Sequence, residues 1–235
     1  MQNTRAICFD LFSTLISVGQ VPETVGAFTA DILGVDRKRW NEACFGPLHE
    51  IRKPSQHLDN LRRMALSLDS SIPEQRIQEA TAARQARFDH ALEHGVEDQV
   101  LESLGSLKQA GFKLALISNA SSPEVQAWQY SPLAGYFDVT VFSCETGFCK
   151  PESDIYHYTL EQLEEDAGDC LFIGDGGSEE HLGAARVGMM PILLSHYLDE
   201  QETRQRLNKY QGVLHRHIET MDELLAILNL KLPEK

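Results

Sequence analysis

The stretch RAICFDLFSTL, residues 5–15, decides the fold. Its first half contains Ala6-Ile7-Cys8-Phe9, a continuous apolar run. Apolarity without alternation indicates a strand covered on both faces, as in a parallel sheet. Asp10 follows where this strand must end, and ligands of open parallel sheets bind outside the carboxyl ends of the strands. Asp10 is therefore the first candidate functional residue.

Outward from this stretch, short apolar runs and helical stripes alternate along the chain. Further strands are predicted over residues 113–117, 139–142, 170–173 and 191–194, with a last strand and a closing helix over 213–218 and 221–228. Alternating strands and helices are typical of the α/β fold class, so we predict a doubly wound parallel sheet.

The interval between the first two strands is different, because it contains amphipathic helical stretches and no convincing strand. Val25, Phe28 and Ile32 mark the first stretch, residues 58–68 the second, and a third begins near Pro73. We predict that residues 16–95 form an inserted all-α cap domain. Residues 1–15 plus 96–235 would then form the α/β catalytic core.

Composition excludes several classes of partner. The chain has 235 residues and a formal net charge of −14 without a Lys/Arg cluster, so we expect no nucleic-acid partner. No apolar stretch approaches the ~20 residues that span a bilayer, and no secretory signal pattern is visible. We expect a cytoplasmic monomer or homodimer without a membrane partner. Five cysteines without a C-x-x-C pair fit neither a disulfide framework nor structural zinc.

Polar residues stand where the apolar runs stop. Ser118 and Asn119 follow the second run, Asp175 follows the fourth, and Lys150 lies in a loop after the third. Because the carboxyl ends of parallel strands meet at one edge, these side chains are expected to converge with Asp10 on one crevice.

Four segments in this order resemble the motifs of the haloacid dehalogenase-like hydrolases. They are Phe9-Asp10-Leu11-Phe12-Ser13-Thr14-Leu15, then Leu116-Ile117-Ser118-Asn119, then Lys150-Pro151, and lastly Ile173-Gly174-Asp175 through Gly183-Ala184. The resemblance covers essentially the whole chain, including the position of the helical cap.

The resemblance implies a Mg²⁺-dependent phosphatase that acts on a small phosphorylated metabolite. Asp10 would be the nucleophile that forms an aspartyl-phosphate, with Ser118 and Lys150 as the other catalytic residues. Thr14, Ser118, Asn119 and Lys150 would bind the substrate. Asp10, the backbone carbonyl of Phe12, Asp175 and Glu180 would hold Mg²⁺, a hard cation that prefers oxygen ligands; Glu179 is a weaker candidate.

Phe12 departs from the phosphatase pattern, because most phosphatases of this family carry there a second Asp, the general acid. An aromatic residue at this position resembles the 2-haloacid dehalogenases, which expel halide without metal, and phosphonoacetaldehyde hydrolases also lack the second Asp. Asp175 points the other way, since dehalogenases have no carboxylate there, and a second carboxylate beside Asp10 favours a cation. A metal-independent dehalogenase and a weakly active or non-catalytic phosphometabolite-binding protein therefore stay open as alternatives.

Overall fold

A six-stranded parallel sheet forms the centre of the computed structural model, which describes residues 4–230. The spatial order is β3-β2-β1-β4-β5-β6. The strands are β1 (Ala6–Phe9), β2 (Lys113–Ser118), β3 (Val139–Phe142), β4 (Cys170–Gly174), β5 (Met190–Leu194) and β6 (Arg216–Ile218). The predicted α/β fold class with a parallel sheet is confirmed.

Ten α-helices accompany the sheet within the described residues, and half of them are inserted in the chain between the first two strands. Five of them lie between β1 and β2: α1 (Thr29–Leu33), α2 (Arg37–Cys44), α3 (His57–Leu68), α4 (Glu74–His94) and α5 (Asp98–Gln109). The others follow β2 and are α6 (Ser143–Thr146), α7 (Ser153–Leu163), α8 (Glu180–Val187), α9 (Glu200–Lys209) and α10 (Met221–Ile227).

Each central strand sends alternate side chains into two separate cores. Ile7 and Phe9 of β1 pack in one apolar cluster, whereas Ala6 and Cys8 pack in the other, on the opposite face of the sheet. Burial of both faces explains why β1 is a continuous apolar run rather than an alternating one.

Helices α1 to α4, called the helical insert below, have an apolar core of their own, in which Trp40, Leu61 and Met64 are buried. The first helix is shorter than predicted. Phe28 is in extended backbone before α1 instead of inside a helix, and its ring contacts the guanidinium groups of Arg37 and Arg87. The domain boundaries at residues 16 and 95 stay predictions.

Two further features bear on the expectations from composition. Cys8 and Cys170 are buried in the apolar core, as an unpaired structural cysteine should be. Within residues 4–230, the helices are too short or too polar for any of them to traverse a lipid bilayer.

Candidate active site

The carboxyl ends of the three central strands bring the predicted residues together. The register aligns Phe9 of β1 with Leu116 of β2 and Ile173 of β4, and the backbone N–H of Asp10 donates to the Ile173 carbonyl at 2.9 Å. Asp10, Ser118 and Asp175 therefore leave neighbouring strands at the same edge of the sheet, and all three line one cavity.

The Asp10 carboxylate is buried and held on both oxygens. Lys150 Nζ donates to its Oδ1 at 2.5 Å, and Thr14 Oγ1 donates to its Oδ2 at 3.0 Å. The same Thr14 oxygen accepts the backbone N–H of Asp175 at 3.0 Å. Thr14 thus links the first and fourth motif segments and fixes the orientation of the carboxylate.

Lys150 is a buried cation between two carboxylates. Its ammonium also donates to Glu180 Oε2 at 2.7 Å, and its side chain is only 2% exposed. Burial alone lowers the pKa of Lys150, but the negative charges of Asp10 and Glu180 outweigh it, and the net shift is upward. The ammonium therefore stays charged and fixed beside Asp10.

Asn119 positions the loop that carries Lys150. Its Oδ1 accepts the backbone N–H of Lys150 at 2.8 Å, and its Nδ2 donates to the Lys150 carbonyl at 2.9 Å. These contacts are with the backbone of Lys150 rather than with the cavity. Substrate binding by Asn119 stays a prediction. The structure shows instead that Asn119 holds the backbone of Lys150.

Three buried carboxylates form a compact acidic cluster. Ligand oxygens of Asp10, Asp175 and Glu180 all lie within 4.8 Å of one another. Burial, and then the neighbouring charge of Asp10, raise the pKa of Asp175. Burial also raises the pKa of Glu180, and the neighbouring carboxylates add to it against the opposing effect of Lys150. The three carboxylates have two cationic neighbours, the Lys150 ammonium and the Arg206 guanidinium, which lies 3.7 Å from Asp175 Oδ2. One negative charge is left uncompensated when all three are ionised, and an all-oxygen donor set fits a hard divalent cation.

The backbone between β4 and α8 selects Glu180 over Glu179 for this cluster. Ser178 and Glu179 both adopt left-handed conformations, with φ of 48° and 54°. Glu179 consequently lies 54% exposed and pairs with Lys209 at 3.2 Å, away from the cluster. Glu180 turns inward, where its Oε1 accepts the backbone N–H of Gly176 at 2.8 Å.

Two residues that the sequence did not suggest, Gly174 and Tyr156, determine the position of Glu180. A Cβ at Gly174 would lie 2.2 Å from Glu180 Oε1, so only glycine at the end of β4 admits this carboxylate. Tyr156 of α7 donates its hydroxyl to the Glu180 carbonyl at 2.8 Å. Tyr156 follows no strand, so its place in the sequence gave no signal.

Ser118 has a buried hydroxyl that accepts and donates no hydrogen bond within residues 4–230. Its exposed fraction is 1%, and it lines the cavity beside Asp10 and Lys150. A buried hydroxyl without a hydrogen-bond partner is costly, and a ligand oxygen would satisfy it. The substrate-binding role of Ser118 stays a prediction, and the structure places its hydroxyl in the cavity wall.

A cavity of about 720 Å³ separates the strand ends from the helical insert. Phe12 lies at this boundary, where its ring meets the ring of Phe88 of α4 edge-on at 5.2 Å between centroids. Its side chain therefore belongs to the cavity wall and has no proton to give. The predicted role of the Phe12 backbone carbonyl as a metal ligand stays a prediction.

The insert and the sheet are joined across the cavity by two Glu–Arg pairs of different burial. Arg84 of α4 reaches Glu124, which follows β2 in a short 3₁₀ turn (Ser122–Val125), at 2.5 Å between buried side chains. Arg52 pairs with Glu152 in the open and also donates to the Gly147 carbonyl at 3.1 Å. Arg52 is thus half-exposed and already paired with a carboxylate.

His49 completes the buried group around Glu124. Its Nε2 lies 3.3 Å from Glu124 Oε1, and its Nδ1 lies 2.7 Å from the Cys44 carbonyl. Burial lowers the pKa of His49, but the Glu124 carboxylate outweighs this effect and the net shift is upward. Burial raises the pKa of Glu124, yet His49 and Arg84 more than reverse it and hold the pKa well below its usual range.

The chain is similar in sequence to a family of hydrolases and to several of its characterised relatives. The family of haloacid dehalogenase-like hydrolases matches residues 4–188. The chain is 26% identical over 219 residues to bifunctional epoxide hydrolase 2 of Mus musculus, covering 81% of this chain but only 36% of that longer protein. It is 29% identical over 183 residues to phosphoglycolate phosphatase of Colwellia psychrerythraea, covering 76% of this chain and 79% of that enzyme.

Solved structures of similar fold include a hydrolase bound to magnesium and a dehalogenase. The hydrolase YfnB of Bacillus subtilis, described as bound to magnesium, superimposes with a TM-score of 0.70 at 16% identity, covering 97% of this chain and 100% of that chain. The L-2-haloacid dehalogenase RSc1362 gives 0.68 at 20% identity, covering 97% of this chain and 99% of that chain. At these identities the likeness shows the fold alone.

Proposed function

Because the chain belongs to the haloacid dehalogenase-like hydrolases, matched over residues 4–188, we propose that it is a Mg²⁺-dependent phosphatase of small phosphorylated metabolites. The observation that carries this proposal is the acidic cluster of Asp10, Asp175 and Glu180, buried around one lysine. A dehalogenase that works without metal has no need of the two extra carboxylates. The similarity to phosphoglycolate phosphatase of Colwellia psychrerythraea adds support.

The reaction begins at Asp10, whose carboxylate is already oriented by Lys150 and Thr14. One carboxylate oxygen attacks the phosphorus of the ester, a new P–O bond forms to Asp10, and the bond to the leaving alcohol oxygen breaks. Water then attacks the aspartyl-phosphate, which releases inorganic phosphate and regenerates the carboxylate. Lys150 and the unpaired Ser118 hydroxyl supply positive charge and a hydrogen bond to the phosphoryl oxygens.

Asp10, Asp175 and Glu180, with the Phe12 carbonyl as a further ligand, would hold the metal. Mg²⁺, when bound, supplies positive charge that screens the anionic nucleophile from the anionic substrate. Lys150 contributes a permanent positive charge beside the same carboxylate.

The leaving group receives no proton from position 12, because Phe12 has no acidic group there and packs on Phe88. General acid catalysis is typically worth about 10²- to 10⁴-fold in rate. We therefore expect aryl phosphates, whose alcohols leave readily, to be hydrolysed much faster than alkyl phosphates.

The test is the release of p-nitrophenol from p-nitrophenyl phosphate with Mg²⁺, with EDTA, and by Asp10→Asn. Asparagine keeps the shape of Asp10 but is not a nucleophilic anion. We expect turnover that requires Mg²⁺ and disappears in the variant, while its thermal unfolding shows that it still folds. Equal turnover by Asp10→Asn would exclude the mechanism.

A metal-independent 2-haloacid dehalogenase is the second candidate, and Phe12 is the observation that favours it. Expelling halide requires no proton, so an aromatic residue at this position carries no penalty for that reaction. The assay is chloride release from 2-chloropropionate in EDTA. Chloride release without metal, together with no phosphate release from any ester, would move the assignment to this candidate.

A further inference from the structure

Arg87 is a buried cation in the wall of the active-site cavity. It lies on α4, is 3% exposed, and donates from its two terminal nitrogens to the carbonyls of Gly26 at 2.8 Å and Val18 at 2.7 Å. Its guanidinium carbon lies 4.3 Å from the centroid of the Phe28 ring. All of these partners are electrically neutral.

The other basic side chains that line this cavity have carboxylate partners. Within residues 4–230 these pairs are Lys150 with Asp10 and Glu180, Arg84 and His49 with Glu124, Arg52 with Glu152, and Arg37 with Asp31. Arg87 is the exception, since no carboxylate of the described chain lies within ion-pair distance of it.

The charge of Arg87 is therefore buried without a counter-ion. Burial lowers the pKa of Arg87, and the nearby guanidinium of Arg37 lowers it further. The exposed carboxylate of Glu23 raises the pKa, but the net shift is downward. A buried charge is costly unless it is paired, and a guanidinium has five N–H donors, of which these contacts use two.

The position of Arg87 connects this charge to the reacting end of the cavity. Phe88, the next residue of α4, packs on Phe12, which is two positions after Asp10 in the chain. Arg87 and Asp10 line the same cavity, Asp10 at the strand ends and Arg87 in the helical insert. A substrate whose phosphate is at Asp10 would have its leaving group in this cavity, which the helical insert also lines.

We propose that Arg87 binds an oxyanion on the leaving group, so that the substrate is a phosphate ester bearing a carboxylate or a second phosphate. This inference rests on the proposed phosphatase function. The oxyanion supplies the missing counter-ion and accepts N–H donors that the backbone carbonyls leave free. The residue acts in recognition and takes no part in bond breaking.

The test compares three esters that share one leaving oxygen: phenyl phosphate, 3-carboxyphenyl phosphate, and the 1,3-bisphosphate of resorcinol. In the wild type we expect lower KM for one or both anionic esters than for phenyl phosphate. In Arg87→Met, kcat/KM for the preferred anionic ester should fall about 10- to 100-fold more than for phenyl phosphate, mainly through KM. The ester that loses most identifies the oxyanion as carboxylate or phosphate.

Two controls separate recognition from folding. Arg76→Met makes the same change on an exposed part of the same helix, outside the cavity, and should leave all three esters unaffected. Arg87→Lys keeps the charge but loses the planar fork, and it should retain part of the preference for the anionic ester. If Arg87→Met does not fold, the lysine variant alone decides, because a purely structural residue would lower all three activities equally.

The outcomes also distinguish this inference from the proposed function. If the wild type hydrolyses none of the esters, the phosphatase proposal fails, and the subsite is then tested by calorimetric binding of benzoate against benzyl alcohol. Weaker benzoate binding in Arg87→Met, with Arg76→Met unchanged, would support the subsite. Equal losses on all three esters, or benzoate binding that is unaffected in Arg87→Met, would overturn it.

Discussion

Glu124→Gln should destabilise the protein far more than its count of hydrogen bonds suggests. The substitution keeps the size of the side chain but removes the charge that faces Arg84 at 2.5 Å and His49 at 3.3 Å. The Arg84 and Glu124 side chains are only 15% and 5% exposed. The variant would leave the guanidinium buried without its counter-ion.

The expected magnitude follows from this burial. Breaking a buried ion pair by removing one partner costs about 3–5 kcal/mol, because the remaining charge is not solvated. The Arg52–Glu152 pair offers a matched control, since it also joins the helical insert to the sheet but has side chains 51% and 48% exposed. Glu152→Gln should cost only about 0–1 kcal/mol.

Urea unfolding measures both effects. Circular dichroism would follow the helices, and fluorescence would follow Trp40 in the insert and Trp128 near the sheet. We expect the free energy of unfolding to fall by about 3–5 kcal/mol in Glu124→Gln and to stay within about 1 kcal/mol of wild type in Glu152→Gln. Similar losses in both variants, or a loss below about 1 kcal/mol in Glu124→Gln, would refute the argument from burial.

Three further changes test separate parts of the site. Asn119→Ala removes both contacts to the Lys150 backbone, so the ammonium should be misplaced. Steady-state kinetics should show kcat about 10²-fold lower. An unchanged kcat would contradict the positioning role. Phe12→Asp introduces a carboxyl group where the general acid is missing, so the alkyl-to-aryl ratio of phosphate hydrolysis should rise about 10²-fold, and an unchanged ratio would count against this explanation. His49 has a raised pKa, so its stabilising charge is present in full below about pH 6.5 and is lost as pH rises through the raised value. Wild-type stability should therefore drop more steeply than that of His49→Gln above this pH, and parallel curves in urea titrations would exclude the ion pair.

The sheet and its functional edge were predictable because a parallel strand is buried on both faces. Such a strand leaves a continuous apolar run, and the chain must become polar where the run stops. Asp10, Ser118 and Asp175 were found by that rule alone, and the structure places them at one edge. Their chemical roles stay predictions.

The sequence favoured Glu180 over Glu179 only narrowly, because the choice depends on backbone angles rather than on residue type. Two successive left-handed residues, Ser178 and Glu179, turn one carboxylate outward and the other inward. Left-handed conformations are uncommon for residues other than glycine, so no sequence pattern predicts them at Ser178 and Glu179.

The polar helices α2 and α9 were also missed, because each buries little. Trp40 is the one buried residue of α2, and α9 has none. Without an apolar stripe a helix has no periodic signal in the sequence.

The contacts that side chains of α4 make outside the helix could not be predicted from sequence for a different reason. Arg84, Arg87 and Phe88 share one face of that helix by their three- and four-residue spacing. Sequence shows such a face but not what lies against it, and here Arg84 meets Glu124 from 40 residues further along the chain.

Phosphorylation of Asp10 during turnover is the step that separates this mechanism from every alternative. Purified protein would be mixed with p-nitrophenyl phosphate and Mg²⁺, quenched in acid within the first turnovers, and analysed by peptide mass spectrometry. We predict one phosphoryl group on the peptide that contains Asp10, and none in Asp10→Asn. Steady hydrolysis without that adduct, or with the phosphoryl group on another residue, would contradict the central claim that Asp10 is the nucleophile.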